Sequence, residues 1–225
     1  HNPEGQARDP QILKSADNQA YKDETAGRRA TVDEIIREIE KDIVFYDESG
    51  GGVTFSGGEP LSQPQFLLAL LRKCRQREVH TAVDTTAFSD REVFRQMLEL
   101  ADLILFDLKL MDDRAHKRFT GVSNGAIVQN LTFAANSNTP LHVRVPIIPE
   151  ITDTKENISA IAQYLKTLPR LERIDILPFH NSADKKYERL GMVNPMQGTL
   201  PPTRAHMAEI KAGLESSGFE VRVAA

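Results

Sequence analysis

Five apolar segments of the sequence end in residues that can bind a small polar ligand or move a proton. Each set contains carboxylate, amine, guanidinium, imidazole or exposed backbone groups, which are the groups that orient charged ligands in protein sites. A single aspartate at such a position often caps the following helix, but five caps in succession explain the pattern poorly. The five sets are Ser56-Gly57-Gly58-Glu59-Pro60, Asp84-Thr85-Thr86, Asp107-Leu108-Lys109, Arg144 with Pro146, and Pro178-Phe179-His180.

Two of these sets indicate the kind of ligand. Asp107 and Lys109 are two residues apart, so on a strand their side chains point to the same face. There they can pair with each other or with a zwitterionic ligand. The glycine pair Gly57-Gly58 permits a close approach of the backbone, whose N–H and C=O groups can bind polar ligand groups.

The elements that would position these residues alternate along the chain. Short strands with apolar residues on both faces are followed by helical patterns, which indicates a parallel sheet. The sequence predicts a full or partial β/α barrel, with a doubly wound open sheet as the alternative. Either fold brings the carboxyl ends of its strands together. The predicted strands cover residues 53–56, 80–86, 103–109, 141–148, 173–180 and 219–223.

The helices between these strands have clear sequence signals. Thr31 to Glu34 forms a capping box, and one helix is predicted from there to the glycines at 50–52. Pro64 suits the first turn of the next helix. Further helices are predicted after Ser89, at about 155–168 and at 204–217.

Composition limits the function classes. The chain has 225 residues and a formal net charge of -4, which gives no basic patch for nucleic acid. Its longest apolar stretches are too short to cross a bilayer. The single cysteine, Cys74, excludes a disulfide framework and favours a reducing, cytoplasmic location. We expect one domain over residues 1–225, with a polar loop at 5–30 and β/α repeats over 31–225.

Several longer strings resemble those of one enzyme family. They are Gly50-Gly51-Gly52-Val53-Thr54-Phe55-Ser56-Gly57-Gly58-Glu59-Pro60, His80-Thr81-Ala82-Val83-Asp84-Thr85, Phe106-Asp107-Leu108-Lys109, Thr120-Gly121-Val122-Ser123-Asn124, Val143-Arg144-Val145-Pro146, and Leu177-Pro178-Phe179-His180. Together they resemble the glycyl-radical-enzyme activating proteins, which are similar to pyruvate formate-lyase activating enzyme and are radical SAM oxidoreductases of anaerobic metabolism. The resemblance covers nearly the whole chain and includes the opening His1-Asn2-Pro3-Glu4.

The resemblance implies a radical SAM barrel and a specific chemistry. In this family three cysteines hold a 4Fe-4S cluster, whose open iron is chelated by S-adenosylmethionine. Reductive cleavage gives a 5′-deoxyadenosyl radical that removes a Cα hydrogen from a glycine of a partner glycyl radical enzyme. The cofactor carries the difficult chemistry, and the protein orients it. The resemblance also implies a flavodoxin or ferredoxin as electron donor and a monomeric protein.

The same resemblance assigns roles to residues of this chain. Backbone carbonyls of Gly57 and Gly58, with the Glu59 carboxylate, would receive the amino group of S-adenosylmethionine. Asp107 and Lys109 would contact its ribose and carboxylate side. The remaining assignments are Leu108 and Leu110 for backbone or apolar contacts, Arg144 for the carboxylate or the partner's glycine loop, His180 for the adenine or ribose, and His1 beside the cluster.

A monovalent-cation site is also implied by the family. Its residues here would be Asp84, Thr85 and Asp107, with the carbonyl of Leu105. Simpler interpretations apply to three other residues. Arg144 can form an ion pair with an aspartate at the strand ends, and His116 and His142 suit packing or surface positions better than ligand binding.

The sequence departs from the family in its cysteines. Cys74, its one cysteine, lies on the apolar stripe of a predicted helix and suits core packing rather than cluster binding. In the family, a stretch like His1-Asn2-Pro3-Glu4 directly follows the last cluster cysteine, so the resemblance implies cluster ligands immediately before His1, and we expect the 225 residues alone to be inactive. Residues 5–30 also lack the additional ferredoxin-like clusters of longer family members.

Two other hypotheses stay open from the residues. The chain could belong to a non-catalytic pseudo-enzyme that binds a nucleotide or a glycyl radical enzyme. It could also be another β/α-barrel enzyme that uses Asp84, Asp107, Lys109 and His180 for metal-assisted or acid–base chemistry.

Overall fold

In a computed structural model, which describes residues 28–181, 187 and 193–224, six strands form one sheet. All neighbouring strands run parallel, as the alternation of strands and helices predicts. The strands are β1 Gly52–Phe55, β2 His80–Thr85, β3 Leu103–Asp107, β4 Leu141–Ile147, β5 Arg173–Pro178 and β6 Val221–Val223.

The strand order distinguishes the two predicted folds. The strands follow one another in space from β1 to β6 in chain order. A doubly wound sheet reverses its order at a switch point, so that alternative is wrong, and the barrel-type prediction is confirmed. Within the described residues β1 and β6 pair with one neighbour each, which makes the sheet a partial barrel.

In the described part of the chain, two helices precede β1, and six helices and one short 3₁₀ turn lie between the strands. The 3₁₀ turn is Pro60–Ser62. The helices are α1 Val32–Glu40, α2 Ile43–Ser49, α3 Pro64–Gln76, α4 Arg91–Leu98, α5 Asp113–Thr120, α6 Gly125–Ala135, α7 Lys155–Leu165 and α8 Arg204–Glu215. No described helix is both long enough and apolar enough to span a membrane.

The helix predictions were right in most places. The capping box at Thr31 is present, and Pro64 begins α3. The single helix predicted up to residue 50 is instead α1 and α2, because the backbone N–H of Lys41 bonds to Glu38 O, three residues earlier, and tightens the last turn. Gly50, in a left-handed conformation, ends the second piece.

Helices α5 and α6 were not predicted from the sequence. Helix α5 is very polar and buries only His116, so it lacks the apolar stripe by which an amphipathic helix is recognised. It is fixed instead by its ends: Asp112 caps it through a 2.7 Å bond from Ala115 N, and Gly121 closes it in a left-handed conformation. These two caps place α5 beside the strand ends.

The sheet has two chemically different faces. Residues that pair across a parallel ladder lie on the same face. The helix-covered face carries apolar side chains that are completely buried, including Val83, Ile104, Phe106, Val143 and Ile174. The opposite face, here called the polar face, carries Asp84, Leu105, Asp107, Arg144 and Asp175, and the ladder aligns Asp107 with Arg144 and Arg144 with Asp175.

Candidate functional site

Glu59 lies directly after the β1 strand and connects it to the end of β2. Its Oε1 accepts hydrogen bonds from Leu61 N at 3.1 Å and from the Thr85 hydroxyl at 2.5 Å. Its Oε2 accepts from Thr86 N at 2.9 Å and from the Thr86 hydroxyl at 2.6 Å. A carboxylate offers about four lone-pair sites, so the chain itself satisfies this group.

The four hydrogen bonds of Glu59 are here called the Glu59 clamp. The glycine pair Gly57-Gly58 directly precedes Glu59 in the chain. Gly57 has φ +132°, a conformation that a residue with a side chain rarely adopts, and no atom lies within 4 Å of the place where a Cβ would sit. Position 57 therefore requires glycine because of its backbone conformation, and not because a side chain would collide with neighbouring atoms. The neighbouring Ser56 hydroxyl donates to Asp84 Oδ2 at 3.0 Å. The loop after β1 is thus attached to the end of β2 at two points.

Four charged side chains form a network on the polar face. Arg144 Nη1 lies 2.7 Å from Asp84 Oδ2, and Arg144 Nε lies 3.7 Å from Asp107 Oδ1. Lys109 Nζ lies 3.5 Å from Asp107 Oδ2. The predicted pairing of Asp107 with Lys109 is confirmed, as is the interpretation that Arg144 forms an ion pair with an aspartate at the strand ends.

Asp107 is the least satisfied member of this network. Burial raises its pKa above the usual 3.8, although Lys109 and Arg144 act in the opposite direction. Its Oδ1 is buried and accepts no hydrogen bond from the described residues. A buried acceptor without a donor is costly, so this oxygen marks a place where a ligand group can bind.

A cavity of about 200 Å³ opens between the strand ends and α5. Part of its lining is polar and includes both signs of charge, and the rest is mostly apolar. The polar part consists of Gly58, Glu59, Thr86, Asp107 and Lys109; the other part consists of Phe88, His116, Phe119, Thr120, Val122 and Ile127.

The other predicted ligand residues lie in varied surroundings. Leu108 and Leu110 are buried, and their backbone is used: Leu108 N donates to Arg144 O at 2.9 Å, and Leu110 O accepts from Asn124 Nδ2 at 3.1 Å. His180 is exposed and does not line the cavity. His1 lies outside the described residues.

Two of the four residues predicted for a monovalent cation, Asp84 and Thr85, have side-chain partners within the protein. Asp84 is bonded to Ser56 and Arg144, and the Thr85 hydroxyl donates to Glu59. Leu105 pairs with Asp84 in the ladder between β2 and β3. Among the described residues, no group of three or more histidine, cysteine or acidic side chains is arranged to hold a metal ion. The monovalent-cation site stays a prediction.

Three residues that the sequence assigned to packing or surface positions lie in such positions in the structure. His116 is buried, and its Nδ1 lies 2.8 Å from Val122 O and 2.9 Å from the Thr120 hydroxyl. His142 is mostly buried and its Nε2 lies 3.1 Å from Glu172 Oε2. Cys74 is fully buried, and burial raises the pKa of its thiol to about 11.

Sequence reasoning missed several residues that shape the cavity. Thr86 was part of a strand-end set, but its role in holding Glu59 depends on how the two loops meet. Phe88 and Phe119 had no visible signal, because the first follows a turn and the second lies on the unpredicted α5. Asn157 on α7 was also missed: its side chain donates to Lys109 O at 2.9 Å and accepts from Met111 N at 3.0 Å.

Comparison with known proteins gives a consistent result. Residues 12–163 match the Radical SAM superfamily. The chain is 43% identical over 174 residues to the isethionate sulfite-lyase activating enzyme of Nitratidesulfovibrio vulgaris, covering 76% of this chain and 56% of that protein. It is 32% identical over 203 residues to the trans-4-hydroxy-L-proline dehydratase activating enzyme of Clostridioides difficile, covering 89% of this chain and 67% of that protein.

A solved structure agrees with these relatives. The chain superposes with a TM-score of 0.66 on the crystal structure of a domain of pyruvate-formate lyase-activating enzyme from Bacteroides vulgatus, at 32% identity. That alignment covers 78% of this chain and 99% of the solved chain. The two curated relatives are longer, and this chain spans 56% and 67% of their lengths.

Proposed function

The chain belongs to the radical SAM superfamily and, within it, to the glycyl-radical-enzyme activating enzymes, and from this premise we propose that the whole protein uses S-adenosylmethionine to activate a partner glycyl radical enzyme. The observation that carries the proposal is the cavity wall in which Asp107 and Lys109 stand together at the strand ends. A wall with both signs of charge suits a zwitterionic amino-acid group.

The described residues fit S-adenosylmethionine. The orphaned Oδ1 of Asp107 can accept a bond from an ammonium or hydroxyl group, and Lys109 can pair with the carboxylate of the ligand. Backbone carbonyls of Gly57 and Gly58 would complete the ammonium site. In the family, S-adenosylmethionine held in this way would be the source of the radical chemistry; the residues named here would bind and orient it.

Two residues act by positioning in this proposal. Glu59 holds the glycine loop against β2 through its four hydrogen bonds, and its carboxylate, together with the carbonyls of that loop, is assigned to the ammonium group. Asn157 fixes the backbone after β3 through Lys109 O and Met111 N. Arg144 neutralises Asp84 and Asp107, and His180 is assigned to the adenine or ribose.

The described residues do not fit the cluster itself. They contain no metal-binding group of three suitable side chains, and Cys74 is buried on α3 with a raised pKa. A thiol that resists ionisation is a poor iron ligand, since the thiolate is the ligand. We propose that these 225 residues alone are inactive, because Cys74 is their one cysteine and it is buried in the core.

The partners follow from the family. The substrate is the glycine loop of a glycyl radical enzyme, and a flavodoxin or ferredoxin supplies the electron to a monomeric protein in the cytoplasm. The reducing compartment is consistent with the single free thiol of Cys74.

Calorimetry on the full-length, cluster-reconstituted protein tests this proposal. Lys109→Met is expected to weaken S-adenosylmethionine binding by about tenfold or more, the size typical of a lost charge-assisted contact. Lys117→Met is the matched control, because Lys117 also pairs with a nearby aspartate, Asp113, but is exposed and outside the cavity. Equal losses in both variants would contradict the assignment.

Formation of 5′-deoxyadenosine separates an enzyme from a pseudo-enzyme. The proposed activase cleaves S-adenosylmethionine when reduced and leaves a glycyl radical signal in the partner by electron paramagnetic resonance. Tight binding without cleavage would identify a non-catalytic relative.

A further inference from the structure

The loop between β2 and α4 holds an aromatic side chain at the cavity. Phe88 lines the cavity and is 44% exposed, which is unfavourable for a large apolar ring. The residue before it, Ala87, is completely buried and has φ +55°, a left-handed conformation that is costly for any residue but glycine. Strain of this kind persists where surrounding contacts enforce it, and it often marks a binding site.

Contacts from both sides enforce this loop. Ala87 N donates to the Thr85 hydroxyl at 2.8 Å, and that hydroxyl belongs to the Glu59 clamp. On the other side, the buried Asn130 of α6 donates to Ala87 O at 2.9 Å and to Ser89 O at 3.2 Å.

The same bracing continues into α6. Arg91 Nε donates to Asn130 Oδ1 at 2.8 Å, and the Arg91 guanidinium lies 4.9 Å from the centre of the Phe133 ring. Each polar group of the Asn130 side chain therefore has a partner. The backbone on both sides of Phe88 is thus held in place by hydrogen bonds.

Helix α5 supplies a second aromatic ring at the same cavity. Phe119 lines the cavity, and the exposed Arg118 guanidinium lies 5.2 Å from its ring centre. Arg114 is exposed one turn earlier on the same face of α5. Within the described part of the chain, neither arginine forms an ion pair, so this edge of the cavity carries unneutralised positive charge.

We propose that Phe88, Phe119 and Arg118, here called the aromatic rim, bind the peptide segment of the partner that carries the target glycine. This inference rests on the proposed function. An apolar side chain near the glycine lies between the two rings, and an acidic residue pairs with Arg118. Two observations favour this occupant. The Arg118 guanidinium complements an acidic side chain, and Phe88 and Phe119 line the same cavity as Asp107 and Lys109, which are assigned to S-adenosylmethionine.

Peptide binding tests the rim without requiring turnover. The probe is a fluorescent synthetic nonapeptide with a central glycine, one adjacent leucine and one aspartate, measured by anisotropy on the full-length holoenzyme. Phe88→Ala and Phe119→Ala are each expected to weaken binding by about tenfold, as for a truncated aromatic contact. Phe88→Leu is expected to stay within about threefold, because it keeps an apolar surface.

A matched control comes from α2. Phe45 is a phenylalanine that is 65% exposed and does not line the cavity, so Phe45→Ala is expected to leave peptide binding unchanged. Changing the peptide's leucine to serine should reproduce the loss seen with Phe88→Ala, and the two changes together should cost no more than either alone. Arg118→Glu should weaken binding of the aspartate peptide and reduce its salt dependence.

Several outcomes would overturn the rim. The assignment fails if Phe88→Ala binds the peptide as tightly as the parent does, or if the parent does not bind the probe. It also fails if Phe88→Ala loses as much affinity for S-adenosylmethionine as for the peptide. Slower cluster reduction by flavodoxin in Arg118→Glu, with unchanged peptide affinity, would assign this surface to the electron donor instead. If the parent binds the peptide through Phe88 but does not cleave S-adenosylmethionine, the proposed function fails and the rim does not.

Discussion

The two faces of the sheet are built from alternate residues of the same strands and have opposite characters. On β3, Ile104 and Phe106 are fully buried against helices, whereas Leu105 and Asp107 are only partly covered. On β4, Val143 and Val145 are buried, and Arg144 between them belongs to the charged network. Neighbours in sequence therefore serve different purposes: one set holds the fold together and the other leaves charge available to a ligand.

This difference explains why the site can be polar without weakening the fold. In a closed barrel the interior is a packed core, and charges there would be expensive. The partial barrel leaves the polar face less crowded, so Asp84, Asp107, Lys109 and Arg144 keep about a fifth of their side-chain surface exposed. The helix-covered face then supplies most of the hydrophobic stabilisation.

The largest expected effect tests the two faces at adjacent positions. Phe106→Ala removes a fully buried ring that packs edge-on against Phe94 at 6.4 Å, and it should lower the free energy of unfolding by about 3–5 kcal/mol. Leu105→Ala, on the polar face, should cost about 1 kcal/mol. Urea unfolding of both variants measures the difference, and similar losses would mean that the polar face is part of the core.

The next effect comes from the charged network. Arg144→Met leaves Asp84 and Asp107 without their shared cation and should lower the free energy of unfolding by about 2–4 kcal/mol at neutral pH. The folded-state pKa of Asp107 already lies above 3.8 because of burial, and the substitution raises it further. The deficit relative to the parent should therefore shrink as pH falls from the pKa of Asp107 in the variant to its lower pKa in the parent, since protonation removes the charge that Arg144 no longer neutralises.

Adding Asp84→Asn to Arg144→Met is the control for this effect. Removing one carboxylate should restore part of the lost stability at neutral pH and flatten the pH dependence. A deficit that is constant across the acid range would show that Arg144 acts through packing alone.

A smaller effect is expected at the Glu59 clamp. Glu59→Gln replaces one carboxylate oxygen by an NH₂ group that faces donors on Thr85 or Thr86, so at least one buried hydrogen bond is lost. Stability should fall by about 1–3 kcal/mol, with weaker S-adenosylmethionine binding in the full-length protein. The exposed Glu48 is the control, and Glu48→Gln should change neither measurement.

The smallest effect concerns the helix-covered side at high pH. Because burial raises the pKa of Cys74 from 9.0 to about 11, the unfolded chain loses its thiol proton first as pH rises. The contribution of this thiol to the free energy of unfolding is fully present below pH 9.0. It should fall by up to about 2 kcal/mol between pH 9.0 and about 11. Chemical unfolding at several pH values measures this fall, and Cys74→Ala should abolish that component of it.

The pattern of the sequence determined the class of fold and indicated that the site lies at the carboxyl ends of the strands. Alternating strand and helix signals were sufficient to predict a parallel sheet, because each element must bury its own apolar surface. The strand-end residues were identified for the same reason, since Asp107 and Arg144 interrupt otherwise apolar strands. The pairing of Asp107 with Lys109 also followed from a local period of two residues.

Only the tertiary structure decided which distant groups meet. Strand register places Arg144 against Asp84 and Asp107, and the meeting of two loops directs the Glu59 carboxylate toward Thr85 and Thr86. Helix α5 is held by its caps and by contacts with the following loop, so no apolar period revealed it or Phe119. Local periodicity is set by neighbouring residues, whereas these contacts depend on how strands and loops pack, and that information exists only once the chain is folded.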